Sequence, residues 1–334
     1  MMRKLPFFLA GLLVLLLGAF AAGASYYWLG WPDAVRNGLA SAWLPALALL
    51  WFGPGQSRTV RRLVGLVCLA IFYGAYFAKS PYPQTFVPLH EKVPEVIFDG
   101  DKVTIVDFRD AVHPVGAPAQ PRWITRSFDL DTLTGAQFSL QPFGDSLATV
   151  HVMTSFAFED GEHLAVSFEA RRTSWEKFDP IAGFFRHDQL YAVLGTERDL
   201  FWKRLAHLPP NDLYILDFTR PTEEIRNYLR RLLEFSGAMH ERAQFYSTIS
   251  ESCFTTLLNI SPRIDEIVPW YDMRRWVPGA SVGLFQELGL VDDSVSETAL
   301  VERQKLRSGV KPPWDFQTSK EWSAHLRPLY GAQQ

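Results

Sequence analysis

Cysteine is nearly absent: the 334-residue chain has two, Cys68 and Cys253. Cys68 falls in an apolar run and Cys253 far downstream, so the pattern offers no disulfide framework. Absent too are H-E-x-x-H, paired Cys or His at ligand spacing, and the glycine patterns that cradle nucleotides. Neither a metal nor a cofactor is expected. An excess of one charge is also missing. The net charge is −3, and the basic residues after Lys79 are interspersed with acidic ones, which argues against a nucleic-acid partner. There are no internal repeats and no low-complexity tract.

What is there begins with three charge-free apolar stretches, Leu5 to Trp31, Asn37 to Ser57 and Leu63 to Ala78. The first has the ~20 residues a membrane span needs; the second, interrupted by Pro45, and the third are shorter. The alternative for these two is a buried core hairpin. The first also resembles a secretory signal, with Arg3 and Lys4 ahead of it and Ala22-Gly23-Ala24 as a cleavage site. Arg58, Arg61 and Arg62 mark the loop between the second and third stretches as cytoplasmic. The third helix then delivers the remainder to the outside, which in a bacterium is the periplasm. The expected organisation is a multi-pass membrane anchor over residues 1–79 in the inner membrane, a proline-rich linker over 80–99 and a soluble domain over 100–334. Aromatics form 14% of the chain, which suits work against lipid, although large ordinary cores are aromatic as well.

In the soluble part, strands are predicted at Lys102 to Phe108, Trp123 to Leu130, Gln137 to Leu140, Gln189 to Leu194 and Asp212 to Phe218. A hairpin pairs Val150 to Phe158 with His163 to Arg172 around an Asp160-Gly161 turn. On its second strand His163, Ala165, Ser167, Glu169 and Arg171 share one face, and Leu164, Val166, Phe168 and Ala170 share the other, core-like one. A helix opens at Pro221, and a shorter one near Ser250 carries Cys253 in its first turn. The fold class is α+β with a mostly antiparallel sheet.

Two constellations could carry chemistry. Cys253 at a helix start, with its pKa lowered by the helix dipole, fits a nucleophile, and His163 at a strand start fits its base. The alternative is that Cys253 is a buried small hydrophobe. Gly279-Ala-Ser281-Val-Gly283 matches the nucleophile elbow, with Asp293 and His325 following in hydrolase order. Charges and Pro278 stand where the elbow needs a hydrophobic strand, so this segment reads as a turn opening a helix.

With those residues in view, the chain resembles the Lnb family of bacterial lipoprotein N-acyltransferases. The resemblance runs from about Val103 to Phe316. It rests on Val106-Asp-Phe-Arg109, Pro121-Arg-Trp-Ile-Thr-Arg126, His163 to Arg172, Gly183-Phe-Phe-Arg186, Thr196-Glu-Arg-Asp199, Phe245-Tyr246, Cys253 with Thr255, and Pro278-Gly279. The family's Asn-Cys-Thr-Thr is here Ser252-Cys-Phe-Thr255. The resemblance implies a circularly permuted papain-like domain behind N-terminal transmembrane helices. It also implies acyl transfer from a membrane phospholipid, through a Cys253 thioester, to the N-terminal amine of a diacylated lipoprotein. His163 is the expected base. If the neighbouring strands pair as a hairpin, Glu197 orients it, with Asp199 and Glu169 as alternatives. Arg171 and Arg172 are candidates for a phosphate headgroup. A phospholipase or peptidoglycan amidohydrolase would use the same Cys–His pair.

Overall fold

The computed structural model describes residues 5–55, 57–173, 179–208, 211–261 and 264–331. Arg3 and Lys4, the basic start of the signal-like stretch, lie outside them. The chain divides into two compact units. One comprises Met1–Gln84, Phe178–Gln189 and Gln244–Thr248; the other comprises Thr85–Lys177, Leu190–Ala243 and Ile249–Gln334.

The first unit is built on α1 (Leu5–Tyr26), α2 (Asp33–Phe52) and α3 (Arg58–Ala78). All three apolar stretches are helical, but only α1 over Phe7–Tyr26 and α3 are long and apolar enough to cross a membrane. In α2, Asp33, Arg36, Asn37 and the internal Pro45 dilute the apolar run. Close approach is bought with small residues: a Cβ on Gly18 would meet Leu47 Cδ1 at 2.4 Å. Ala22-Gly23-Ala24 lies inside α1, and a Cβ on Gly23 would meet the Phe185 ring at 2.4 Å. The Arg186 guanidinium lies over the Tyr76, Phe77 and Phe245 rings and donates to the Phe77 carbonyl at 3.1 Å.

The second unit contains an eight-stranded sheet among the described residues. Its strands are β1 (Glu95–Asp99), β2 (Lys102–Arg109), β3 (Trp123–Asp129), β4 (Leu133–Pro142), β5 (Val150–Phe158), β6 (His163–Arg171), β7 (Gln189–Gly195) and β8 (Tyr214–Asp217). Spatial order is β1-β2-β7-β6-β5-β4-β8, with β3 added to β2. Every pair with a defined direction is antiparallel except the single β2–β7 contact at Arg109 and Gly195. Helices cover both faces, because inward and outward positions of the central strands are both apolar. Met153 and Ala165 pack on Leu200 and Phe201 of α4 (Glu197–His207) and on Trp322 at the far end of the chain. Phe156 and Phe168 face α5 (Thr222–Glu241) through Tyr228 and Phe235. Beside α5 runs α6 (Cys253–Ile260), and then follow α7 (Ile264–Ile267), α8 (Ser281–Glu287), α9 (Glu297–Gln304) and α10 (Ser319–Leu326), which carries Trp322.

The predicted strands and the faces of β6 are found as expected. Two expectations change. The stretch 80–99 is no open linker, since Phe86 bridges Thr173, His90 is buried in a helical turn and β1 begins at Glu95. Glu197 is not on a strand. Thr196 caps α4 by accepting the Asp199 N–H, so the chain turns helical at that point.

Candidate active site

Local sequence fixes Cys253 at the first position of α6. The Ser252 hydroxyl accepts the Thr255 N–H at 3.2 Å, and Thr255 Oγ1 accepts the Ser252 N–H at 2.8 Å. This reciprocal box starts the helix one residue before the thiol. The thiol faces the end of the β5–β6 ladder. Pairing runs from Ala157↔His163 to Met153↔Ser167, and both strands continue past that last pair. Where they continue, the Val152 N–H donates to the Cys253 sulfur. The residue before Val152 is His151, whose imidazole is buried.

His151 heads a polar chain. Its Nε2 is 2.8 Å from Ser167 Oγ, and Ser167 donates to Glu169 Oε1 at 3.2 Å. With the Ser167 hydroxyl donating to the carboxylate, Ser167 accepts from His151 Nε2–H, which leaves Nδ1 as the basic nitrogen. Glu169 is the hub: Arg204 Nη2 lies at 2.6 Å, His90 Nε2 at 3.5 Å and Lys203 Nζ at 3.6 Å from its oxygens. His90 Nδ1 in turn accepts the Arg172 N–H at 2.9 Å.

The electrostatics follow from burial and these partners. Burial pushes the Cys253 thiol up, against the pull of the Val152 N–H and Arg204. The helix-dipole expectation of a lowered thiol is therefore reversed, because desolvation of a thiolate outweighs one helix turn. Burial holds His151 well below the usual imidazole range, with Arg204 reinforcing it, and lowers His90 to about 4. For Glu169 burial acts upward, but Lys203 and Arg204 overcome it and keep the carboxylate well below its usual range. The resting site therefore holds a neutral thiol, a neutral imidazole and an ionised carboxylate.

The other expected residues sit elsewhere. His163 pairs with Ala157 at the turn end of the hairpin, five residues from Val152, or about 17 Å along the strand at ~3.3 Å per residue. It does not meet Cys253. It feels the charge of Glu197, whose carboxylate accepts from Ser155 Oγ at 2.6 Å and Arg327 Nη2 at 2.7 Å. Burial raises Glu197, but Arg327 and His163 outweigh it and bring the carboxyl down to about 2. Asp199 accepts from Arg109 Nε at 2.8 Å and the Ala111 N–H at 2.8 Å, beside His113 Nε2 at 2.8 Å, as a structural clasp between α4 and the end of β2. Arg171 donates to the His90 and Glu91 carbonyls at 2.8 and 2.7 Å and lies over the Phe86 ring, while Arg172 is exposed. Ser281 is buried at the start of α8, behind two helical turns, so the elbow motif lacks its strand.

The model of the Lnb N-terminal periplasmic domain matches residues 119–279. The match supports assigning these residues to the Lnb N-terminal periplasmic domain. The match to the Lnb domain spans β3 through the turn Pro278–Ala280 and includes His151, Glu169 and Cys253. No curated protein and no solved structure matches the chain.

His151 is the residue that sequence reasoning passed over. The signal was present. In the observed hairpin register partners sum to 320, centred on Asp160, which carries His151 to the position opposite Glu169 and puts His163 opposite Ala157. Choosing between the two histidines required knowing which end of the hairpin α6 approaches, and that is a tertiary fact.

Proposed function

We propose that this protein is a membrane-anchored cysteine acyltransferase. In this reading it moves a fatty acyl chain from phospholipid through a Cys253 thioester to the N-terminal amine of diacylated lipoproteins on the periplasmic side of the bacterial inner membrane. The observation that carries the reading is the thiol at the capped start of α6, receiving the N–H of Val152, the residue that follows His151. His151 Nδ1 takes the thiol proton as sulfur attacks the ester carbonyl, and returns it to the departing lysophospholipid oxygen. Ser167 and Glu169 hold the imidazole in the tautomer that permits this and stabilise it once charged. In the second half the amine attacks the thioester, and the thiolate leaves. The membrane-crossing lengths of α1 and α3 support a substrate that stays in the bilayer, and Arg58, Arg61 and Arg62 at the start of α3 favour a cytoplasmic end there.

The test is intact-mass analysis of lipoprotein N-termini in cells depleted of their own N-acyltransferase. Wild type should add one fatty-acyl mass, and Cys253→Ala none. Release of free fatty acid with the termini still diacylated would replace the transferase by a hydrolase using the same thiol.

A further inference from the structure

The second unit also holds an apolar cavity of about 310 Å³ against the helix that carries the thiol. Phe254, Leu257 and Leu258 of α6 form one wall, and Phe138 of β4, Tyr228 of α5 and Phe285 of α8 close it. At 100° per residue, positions 254, 257, 258 and 261 form one stripe of α6, and position 253 borders it next to Leu257. The cavity therefore begins about one helical turn, roughly 5 Å, from Cys253. Its lining is mostly apolar, with Arg220, Glu224, Asn227 and Ser261 as the polar exceptions. Between Phe254, Leu257 and Phe285 the Tyr228 hydroxyl is already committed to the Leu257 carbonyl at 2.9 Å, so that part of the cavity suits a hydrocarbon. At its other end Ile267 lines the cavity and is 53% exposed, which gives the cavity an opening to the exterior.

We propose that this cavity is the acyl-chain site: it holds the hydrocarbon tail of the donor while the ester carbonyl lies at Cys253. The proposal rests on the acyl-transfer reading above. The volume is roughly twice the ~150 Å³ of an apolar cavity that admits benzene, which leaves room for on the order of a dozen carbons. Each buried methylene strengthens binding about fourfold, so a cavity of this size discriminates between tails. The donor's chain length is then set by α5, α6 and α8 rather than by the residues that touch the thiol.

Two measurements on the full chain in detergent test this. In the first, Cys253→Ser protein is irradiated with a diazirine-bearing palmitate, and the label should fall on peptides that line the cavity, those covering Phe138, 218–228, 254–267 and 285–290. In the second, phosphatidylcholines with tails of eight to eighteen carbons are offered as a mixture, and the acyl mass on Cys253 is read. Leu288→Trp, from a half-buried lining position, should shift the preferred tail by at least two carbons toward shorter chains and cut loading of the longest about tenfold. Leu288→Ala should shift it the other way, and alkylation of Cys253 by iodoacetamide should not change in either variant. Identical chain profiles in all three proteins, or photolabel outside these peptides, overturns the proposal. If wild type never loads Cys253, the acyl-transfer reading fails, and the photolabel still decides whether the cavity takes a fatty chain.

Discussion

Two histidines on one hairpin differ in chemistry because they sit at opposite ends of it. His151 lies where the strands continue past their last pair, next in sequence to Val152, whose N–H meets the thiol; His163 lies at the turn, in the field of Glu197. His151→Ala should therefore stop thioester formation. His163→Ala should leave it within about twofold and cost about 1 kcal/mol of stability through its hydrogen bond and its attraction to Glu197. Acyl-enzyme mass on Cys253 in the two variants decides the matter, and loss in His163→Ala with retention in His151→Ala would reverse the assignment. Glu169 supplies a sharper test. Its charge raises the Cys253 thiol while Arg204 lowers it, so Glu169→Gln should lower the thiol pKa and speed alkylation by iodoacetamide at pH 7. Acyl transfer should fall in the same variant, because the His151 chain loses its anchor. An unchanged alkylation rate would mean that Glu169 does not reach the thiol. Cys253 itself was legible in the sequence from its place at a helix start. The raised pKa was not, because burial is set by β5 and β6, which lie about a hundred residues upstream.

Strands announced themselves through alternation, and α5 through its apolar stripe, so most of the sheet and its flanking helices could be read from the chain. The start of α4 was hidden because Thr196-Glu197 continues a strand-like run from β7, and only the Thr196 cap turns it. The α6 start is better determined. Ser252 stands where the family has Asn, and both residues cap helices well, so the change keeps the geometry that presents the thiol. Gly279 is a different case. A Cβ there would lie 2.2 Å from the Ala148 carbonyl oxygen, which is backbone and cannot rotate away. Gly279→Ala should thus push the 147–148 loop outward and cost about 1–3 kcal/mol. Thermal melting of the purified variant checks this, and a Tm equal to wild type would mean that the loop yields freely.

At the scale of the whole molecule, the second unit holds several imidazoles neutral. An unfolded chain protonates them near 6.5, whereas burial keeps folded His90 unprotonated until about 4 and also holds His151 well below its usual range. Stability is therefore fully present above 6.5 and is lost as pH falls toward 4, by on the order of 3 kcal/mol from His90 alone. Depressed Glu169 acts in the same direction below its ordinary 4.5. The Tm followed by near-ultraviolet circular dichroism should drop between pH 7 and 4.5, and a flat profile would mean that these imidazoles are solvated. The division of the chain has a consequence for the order of folding. Phe185 and Arg186 pack with the helices of the first unit, and so does Phe245, although the first two are encoded between strands of the sheet and the third after its last strand. During synthesis α1, α2 and α3 emerge early, yet their last contacts await a residue more than 160 positions later. Contacts that distant in sequence close slowly. The helix bundle is thus among the first parts made and among the last completed, and trimming off its helices would strand Phe185 and Arg186 without the surface they were selected to cover.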